Sequence, residues 1–224
     1  MEQHIEIVKP ADIERKSFEI IASELENRGI SLPKSTESIV KRVIHTTADF
    51  DFAENLVFSA SAIETAHKIL LGGNAIIVTD TEMAKSGINK RALAALGADC
   101  QCFMKDSDVA QAAAAHGTTR ATASVEKAAR LFGKNSENVI FACGNAPTAL
   151  IELHRLANAG IFAPALVIGV PVGFVNVVQS KELILRSPIP HIVARGRKGG
   201  STVAAAICNA LLYECQTIKA NAHG

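Results

Sequence analysis

From Ala75 onward the chain alternates short, unbroken apolar runs with longer stretches in which apolar residues recur every three or four positions. The runs are Ala75-Ile76-Ile77-Val78-Thr79, Ala98 to Phe103, Val139 to Cys143, Ala165 to Ile168 and His191 to Ala194. Helical spacing lies between them, over Asn89 to Leu96, Asp108 to Ala115, Ser124 to Phe132, Thr148 to Ala159 and Ser180 to Leu185. A run that is apolar at every position suits a strand buried on both faces, and parallel neighbours need a crossover that is usually a helix. The pattern predicts an α/β fold with a doubly wound, mainly parallel sheet.

The residues before Ala75 read as helices. One opens at Pro10 and stops at Gly29, and a second runs from about Pro33 to Ile44. A third is announced by Ser61-Ala62-Ile63-Glu64, a capping-box spacing, and ends at Gly72-Gly73. No internal repeat, low-complexity tract or Pro/Gly/Ser linker divides the chain. Residues 1–216 therefore read as one domain, and the small, polar residues 217–224 as a loose C-terminal tail.

Composition narrows the function classes. The 224 residues are 48% apolar, enough for a core, while 23 basic residues against 22 acidic leave no surplus for displacing phosphate counterions. A general nucleic-acid binder is excluded on that ground. Trp is absent and Tyr213 is the single tyrosine, so base-stacking platforms have little material. No apolar run reaches the roughly 20 residues that span a bilayer. The start, with Glu2, Glu6 and Lys9, lacks a signal-peptide core, so the chain reads as cytoplasmic with no membrane partner. Five cysteines outside any repeated Cys-x-x-Cys frame signal neither a disulfide framework nor zinc. Cys100 and Cys102 would share one face of a strand, and they read as buried thiols.

In an open parallel sheet, ligands bind beyond the carboxyl ends of the strands. Here those ends carry Asp80-Thr81-Glu82-Met83, Gly144-Asn145-Ala146-Pro147, Gly169-Val170-Pro171-Val172-Gly173-Phe174 and Arg195-Gly196-Arg197-Lys198-Gly199-Gly200-Ser201. Glycine permits positive φ and close backbone approach to a ligand. The last segment sets two Arg and one Lys ahead of a helix start near Thr202, where forked guanidinium donors and free N–H groups suit carboxylate or phosphate oxygens. Its order matches neither a Walker A loop nor a Gly-x-Gly-x-x-Gly fingerprint, which counts against nucleotide binding. Arg120 follows Gly117-Thr118-Thr119, whose hydroxyls suit either a ligand or the cap of the next helix. His45 lies where the apolar face of Arg42-Val43-Ile44 gives way to Thr46-Thr47-Ala48-Asp49. An imidazole there either trades a proton near neutral pH or simply closes a helix end. His67, His116 and His154 have no partner constellation, and no Gly-x-Ser-x-Gly elbow names a nucleophile.

Taken together and in order, Val43-Ile44-His45-Thr46-Thr47-Ala48-Asp49, Gly144 to Leu150, Gly169 to Val175 and Arg195 to Ser201 resemble the precorrin-8X methylmutase family of cobalamin biosynthesis, a likeness running from about Ile13 to Leu212. The resemblance implies a Rossmann-like α/β fold, a homodimer, and no organic cofactor or protein-bound metal. The implied activity is isomerisation: a methyl group moves from carbon eleven to carbon twelve of a tetrapyrrole, giving hydrogenobyrinic acid or, with cobalt in the ring, cobyrinic acid. By the same resemblance His45 is catalytic, offering a proton or hydrogen bond to a ring nitrogen and easing a sigmatropic shift. Ser17 and Arg120 are its matched substrate contacts. The glycine-rich and basic ends, Gly144, Asn145, Ala146, Pro147, Gly169, Pro171, Gly173, Arg195, Gly196, Arg197, Gly199, Gly200 and Ser201, would hold the substrate. A ring fringed with carboxylates accounts for Arg195, Arg197 and Lys198 clustered in a neutral protein. A tetrapyrrole carrier without catalysis, and a nucleotide-binding module, are the rivals from other classes.

Overall fold

The computed structural model describes residues 9–222. Glu2 and Glu6, on which the reading of the N-terminus drew, lie outside them. The described chain forms, in order, α1 (Pro10–Asn27), α2 (Glu37–Thr47), α3 (Phe52–Asn55), β1 (Leu56–Phe58), α4 (Ala62–Leu71), β2 (Ile76–Thr79), α5 (Glu82–Gly87), α6 (Lys90–Ala95), β3 (Asp99–Gln101) and α7 (Ser107–Ala115). It continues through α8 (Arg120–Phe132), β4 (Val139–Cys143), α9 (Pro147–Asn158), β5 (Leu166–Gly169), α10 (Val177–Leu185), β6 (His191–Ala194) and α11 (Ser201–Asn221).

The strands form one sheet in the order β1-β6-β5-β4-β2-β3, parallel throughout except for β1. Strands β2 to β6 follow the flavodoxin-type order of doubly wound sheets, with the reversal point between β2 and β4. Every residue of β4 is buried, and alternate side chains feed two cores. Ile140 and Ala142 face the layer of α2, α4, α5, α6 and α11, while Val139, Phe141 and Cys143 face that of α7, α8, α9 and α10. Helices on both faces explain why the strands read as unbroken apolar runs.

Strand β1 was not anticipated. It pairs antiparallel with β6, Leu56 opposite Ala194 and Phe58 opposite Ile192. The chain thus enters β1 at the edge where the parallel strands finish, and the Arg195 N–H donates to the Asn55 carbonyl at 2.8 Å. The end of α2, just upstream, is delivered by this reversal to the edge where the parallel strands finish.

Three local expectations change. The second helix begins at Glu37 because Pro33 to Thr36 form a turn, the N–H groups of Thr36 and Glu37 both bonding the Pro33 carbonyl at 3.0 Å. Ser61 precedes α4, yet its hydroxyl makes no cap. The segment expected as a loose tail from Thr217 continues α11 to Asn221. The Thr217 hydroxyl back-bonds to the Tyr213 carbonyl at 3.0 Å and Lys219 reaches the Ala95 carbonyl at 3.1 Å, so the last turn is tied to the fold. Gly224 lies outside the described residues. Among the described residues no helix is long and apolar enough to cross a membrane.

Candidate functional site

The reversal point is organised by Asp80, the first residue beyond β2 and only 1% exposed. Its Oδ1 accepts the Gly144 N–H at 2.8 Å, and its Oδ2 accepts those of Asn145 and Ala146 at 2.7 Å each. Three charge-assisted bonds fix the turn that opens α9. The backbone donors of this turn are consequently engaged by the protein itself, which leaves the exposed Asn145 side chain facing outward. Gly144 is needed for packing: a Cβ there would lie 2.7 Å from the Ser201 Cα and 2.8 Å from the Gly200 carbonyl oxygen, where α11 starts.

The ends of β5 and β6 are laced together. Gly199, at φ +158°, passes so close to the preceding loop that a Cβ would sit 2.1 Å from the Val170 carbonyl oxygen. Gly200 donates to that carbonyl at 2.9 Å, and the Gly173 N–H to the Arg197 carbonyl at 3.2 Å. Arg197 lies over the Phe174 ring at 5.3 Å, and Phe174 itself is 79% exposed at the loop tip. Pro171 is buried at the root of that loop, next to Gly169 at the end of β5. The Ser201 hydroxyl lies 2.8 Å from that of Thr81, which caps α5.

Lys198 does not join Arg195 and Arg197 as a free cation. Its Nζ lies 2.7 Å from Asp49 Oδ2 and 2.6 Å from Asp51 Oδ2. The pairing holds the Asp49 carboxyl below the ordinary carboxylate range and raises the Lys198 ammonium. Beneath the same loop, Lys181 of α10 is buried and donates to the Gly196 carbonyl at 2.8 Å and the Lys198 carbonyl at 2.9 Å. Burial lowers its pKa to about 8.

His45 is exposed in the last turn of α2, which Ala48 closes in the left-handed region at φ 53°. Its ring rests against Phe18 of α1 at 5.3 Å. Ser17, the neighbour of Phe18, donates its hydroxyl to the Ile13 carbonyl at 2.8 Å. Asp49 and Asp51, within a few residues of His45, carry the link to Lys198. Arg120 opens α8, and Thr119, which caps that helix, lies 2.9 Å from Thr148 at the start of α9. Arg120 therefore stands beside the Gly144–Pro147 turn, and among the described residues neither it nor Arg195 has an ion-pair partner. His67 is engaged elsewhere, with Glu214 at 2.8 Å. A cavity of about 950 Å³ between α2, β1 and α4, lined by residues such as Thr36, Phe58, Ile63 and His67, contains none of the expected site residues. All five cysteines are buried and unpaired, and burial pushes Cys100 and Cys215 up to about 12.

Two residues at this edge escaped sequence reasoning in their roles. Asp80 stood in the segment after β2, and a lone acid directly behind an apolar strand was its signal. Lys181 falls at an inward helical position, where a lysine stands among the buried Val177, Ser180 and Ile184.

At this end of the sheet two glycine-rich loops are thus laced together, with Arg197 stacked on the exposed Phe174 and Lys198 tied to the acids that follow His45. The profile of the precorrin-8X methylmutase family matches residues 12–214. The cobalt-precorrin-8 methylmutase of Salmonella typhimurium is 46% identical over 92% of this chain and 96% of its own, and that of Priestia megaterium 43% over 91% and 88%. A solved structure, the precorrin-8X methylmutase of Thermus thermophilus, superposes with a TM-score of 0.84 at 36% identity, covering 92% of this chain and 97% of its own. With the family profile and curated relatives matching nearly the whole chain, the chain belongs to the precorrin-8X methylmutase family, isomerases of cobalamin biosynthesis.

Proposed function

We propose that the protein moves a methyl group from carbon eleven to carbon twelve of the precorrin-8 ring by an acid-assisted sigmatropic shift, with His45 as the acid. Both curated relatives above are named for the cobalt-bearing substrate, so we take cobalt-precorrin-8 as the natural one and cobyrinic acid as the product. The observation that carries the reading is the double link from the arginine loop to the turn after α2: Lys198 to Asp49 and Asp51, and Arg195 N–H to Asn55. It supports a single site in which carboxylate binding and an imidazole act on one ligand.

An intramolecular shift needs orientation more than it needs a nucleophile. Arg195, Arg197 and Arg120 supply forked donors for the acetate and propionate groups, with Ser17 a further contact beside Phe18. The exposed apolar tip around Phe174 and the glycine-rich turns give a flat macrocycle a surface to lie on. A proton from His45 to a ring nitrogen draws electron density from the migrating system, whereas a neutral imidazole offers a weaker hydrogen bond. The protein acts as a cytoplasmic homodimer, in keeping with five unpaired thiols.

The test is anaerobic incubation of the pure protein with cobalt-precorrin-8 and, separately, precorrin-8X, following the corrin absorption spectrum. Conversion of the cobalt form is the expected outcome. Conversion of neither overturns the reading, and a His45→Ala variant as active as wild type removes His45 from it.

A further inference from the structure

We infer that Lys181 and Lys198 are positioning residues which lock the Arg195–Ser201 loop against α10 and against the His45 turn, and that neither is a substrate ligand; the inference rests on the methylmutase reading above.

Consider Lys181 first. It is 1% exposed, and among the described residues no carboxylate pairs with it. Removing an ammonium from water without a counter-charge is unfavourable, and burial accordingly depresses its proton affinity. An apolar side chain of similar length would fill the space without that cost. What the ammonium adds is two bonds to carbonyls two residues apart, those of Gly196 and Lys198. The loop has no ladder of its own, with Gly196 at φ +73°. Arg197, between the two carbonyls, is fixed at its backbone on both sides.

Lys198 works in the other direction. Its Nζ meets two carboxylates at 2.7 and 2.6 Å, a triad with net charge of minus one. A further carboxylate from a substrate would be repelled by that excess. The two acids stand on the turn that follows His45, and the Asp51 N–H in turn bonds Asp49 Oδ1 at 3.1 Å. Lys181 therefore sets the arginine backbone relative to the sheet, and Lys198 sets His45 relative to the arginines.

The two lysines predict separable defects. Lys181→Met should weaken cobyrinic acid binding about tenfold and speed amide exchange of the peptide covering Gly196 to Ser201, while Lys181→Gln, which keeps a donor, should recover part of the affinity. Lys198→Met should lower kcat about tenfold with cobyrinic acid affinity within a factor of two, and the Asp49→Asn, Asp51→Asn double variant should reproduce that loss. Were Lys198 a ligand, Lys198→Met would weaken binding and the double acid variant would bind as well as wild type or better; that pair of results overturns its half. Unchanged affinity and exchange in Lys181→Met, or loss of folding in both Lys181 variants, overturns the other half. Wild-type protein that neither binds cobyrinic acid nor turns over substrate would instead fail the underlying methylmutase reading, visible before any variant is made.

Discussion

Replacing Asp80 by Asn exchanges one carboxylate oxygen for an NH2 and tests how the reversal point is held. The carboxylate serves three N–H groups, two on Oδ2 and one on Oδ1. A carboxamide has one oxygen, so its less costly orientation turns that oxygen to Asn145 and Ala146 and its NH2 toward the Gly144 N–H. The Gly144 N–H and the carboxamide NH2 facing it are then both unpaired, at about 1–3 kcal/mol each, and the two surviving bonds lose their ionic component, about 1 kcal/mol each. The sum is about 4–8 kcal/mol, which for a domain of this size lowers Tm by roughly 8–32 °C. Thermal unfolding followed by circular dichroism measures it directly, with the Cys143-Gly144 segment watched by amide exchange. A Tm within about 2 °C of wild type would show that the turn finds its partners without the carboxylate, and the account of Asp80 as its organiser would fall.

Other outcomes follow from the same geometry. His45→Ala should reduce single-turnover rate at least 100-fold, the lower range for losing a positioned acid, while Tm changes little because the ring is exposed and rests on the half-buried Phe18. Arg195→Met and Arg197→Met should each weaken cobyrinic acid binding by about 1.5–3 kcal/mol in titrations of the coloured product, and unchanged affinity in both would mean that these side chains stay in water. Stability should fall on the alkaline side. Thiols held above their ordinary pKa keep their protons when the unfolded chain releases them, so at pH 10 Cys100, Cys208 and Cys215 together forfeit about 4 kcal/mol. Lys181, held below its ordinary value, returns at most about 2 kcal/mol between pH 8 and 10, because there the unfolded chain holds the extra proton. Urea unfolding that shows equal or greater stability at pH 10 than at pH 8 would contradict this balance.

The parallel part of the fold was legible because burial on both faces leaves an unmistakable trace, as in Val139 to Cys143. Strand β1 was not, since three residues carry no period and an edge strand paired on one side needs no apolar run. The site segments were visible as clusters of Gly and Arg beyond strand ends, yet composition could not say which cations were free. Lys198 and Arg197 are one residue apart in the chain, and only the fold shows one ammonium neutralised by Asp49 and Asp51 and one guanidinium left over Phe174. The glycines were likewise legible as close approaches but not as to what approaches. Gly144 and Gly199 both make room for this protein's own backbone. The helix that continues past Thr217 shows the same limit, because small polar residues read as tail until Lys219 finds the Ala95 carbonyl.

That division of labour among the cations bears on how the site would work. Exposed guanidinium groups attract a carboxylate only weakly while water surrounds them. Arg195 and Arg197 are exposed, so on the proposed reading their contribution grows only when something excludes solvent from the loop. The chain offers one feature suited to that, the exposed Phe174 and Val175 at the neighbouring tip, with Arg197 already stacked on the ring. A macrocycle lying across this tip would bury apolar surface of its own and of Phe174 in the same act that dries the arginine contacts. Hydrophobic and ionic contributions would then rise together, and neither alone would hold the substrate. A Phe174→Ala variant should therefore lose more affinity for cobyrinic acid at low salt than burial of the ring explains, and the excess should shrink in an Arg197→Met background. Equal losses in the two backgrounds would separate the ring from the arginine and leave the two contributions independent.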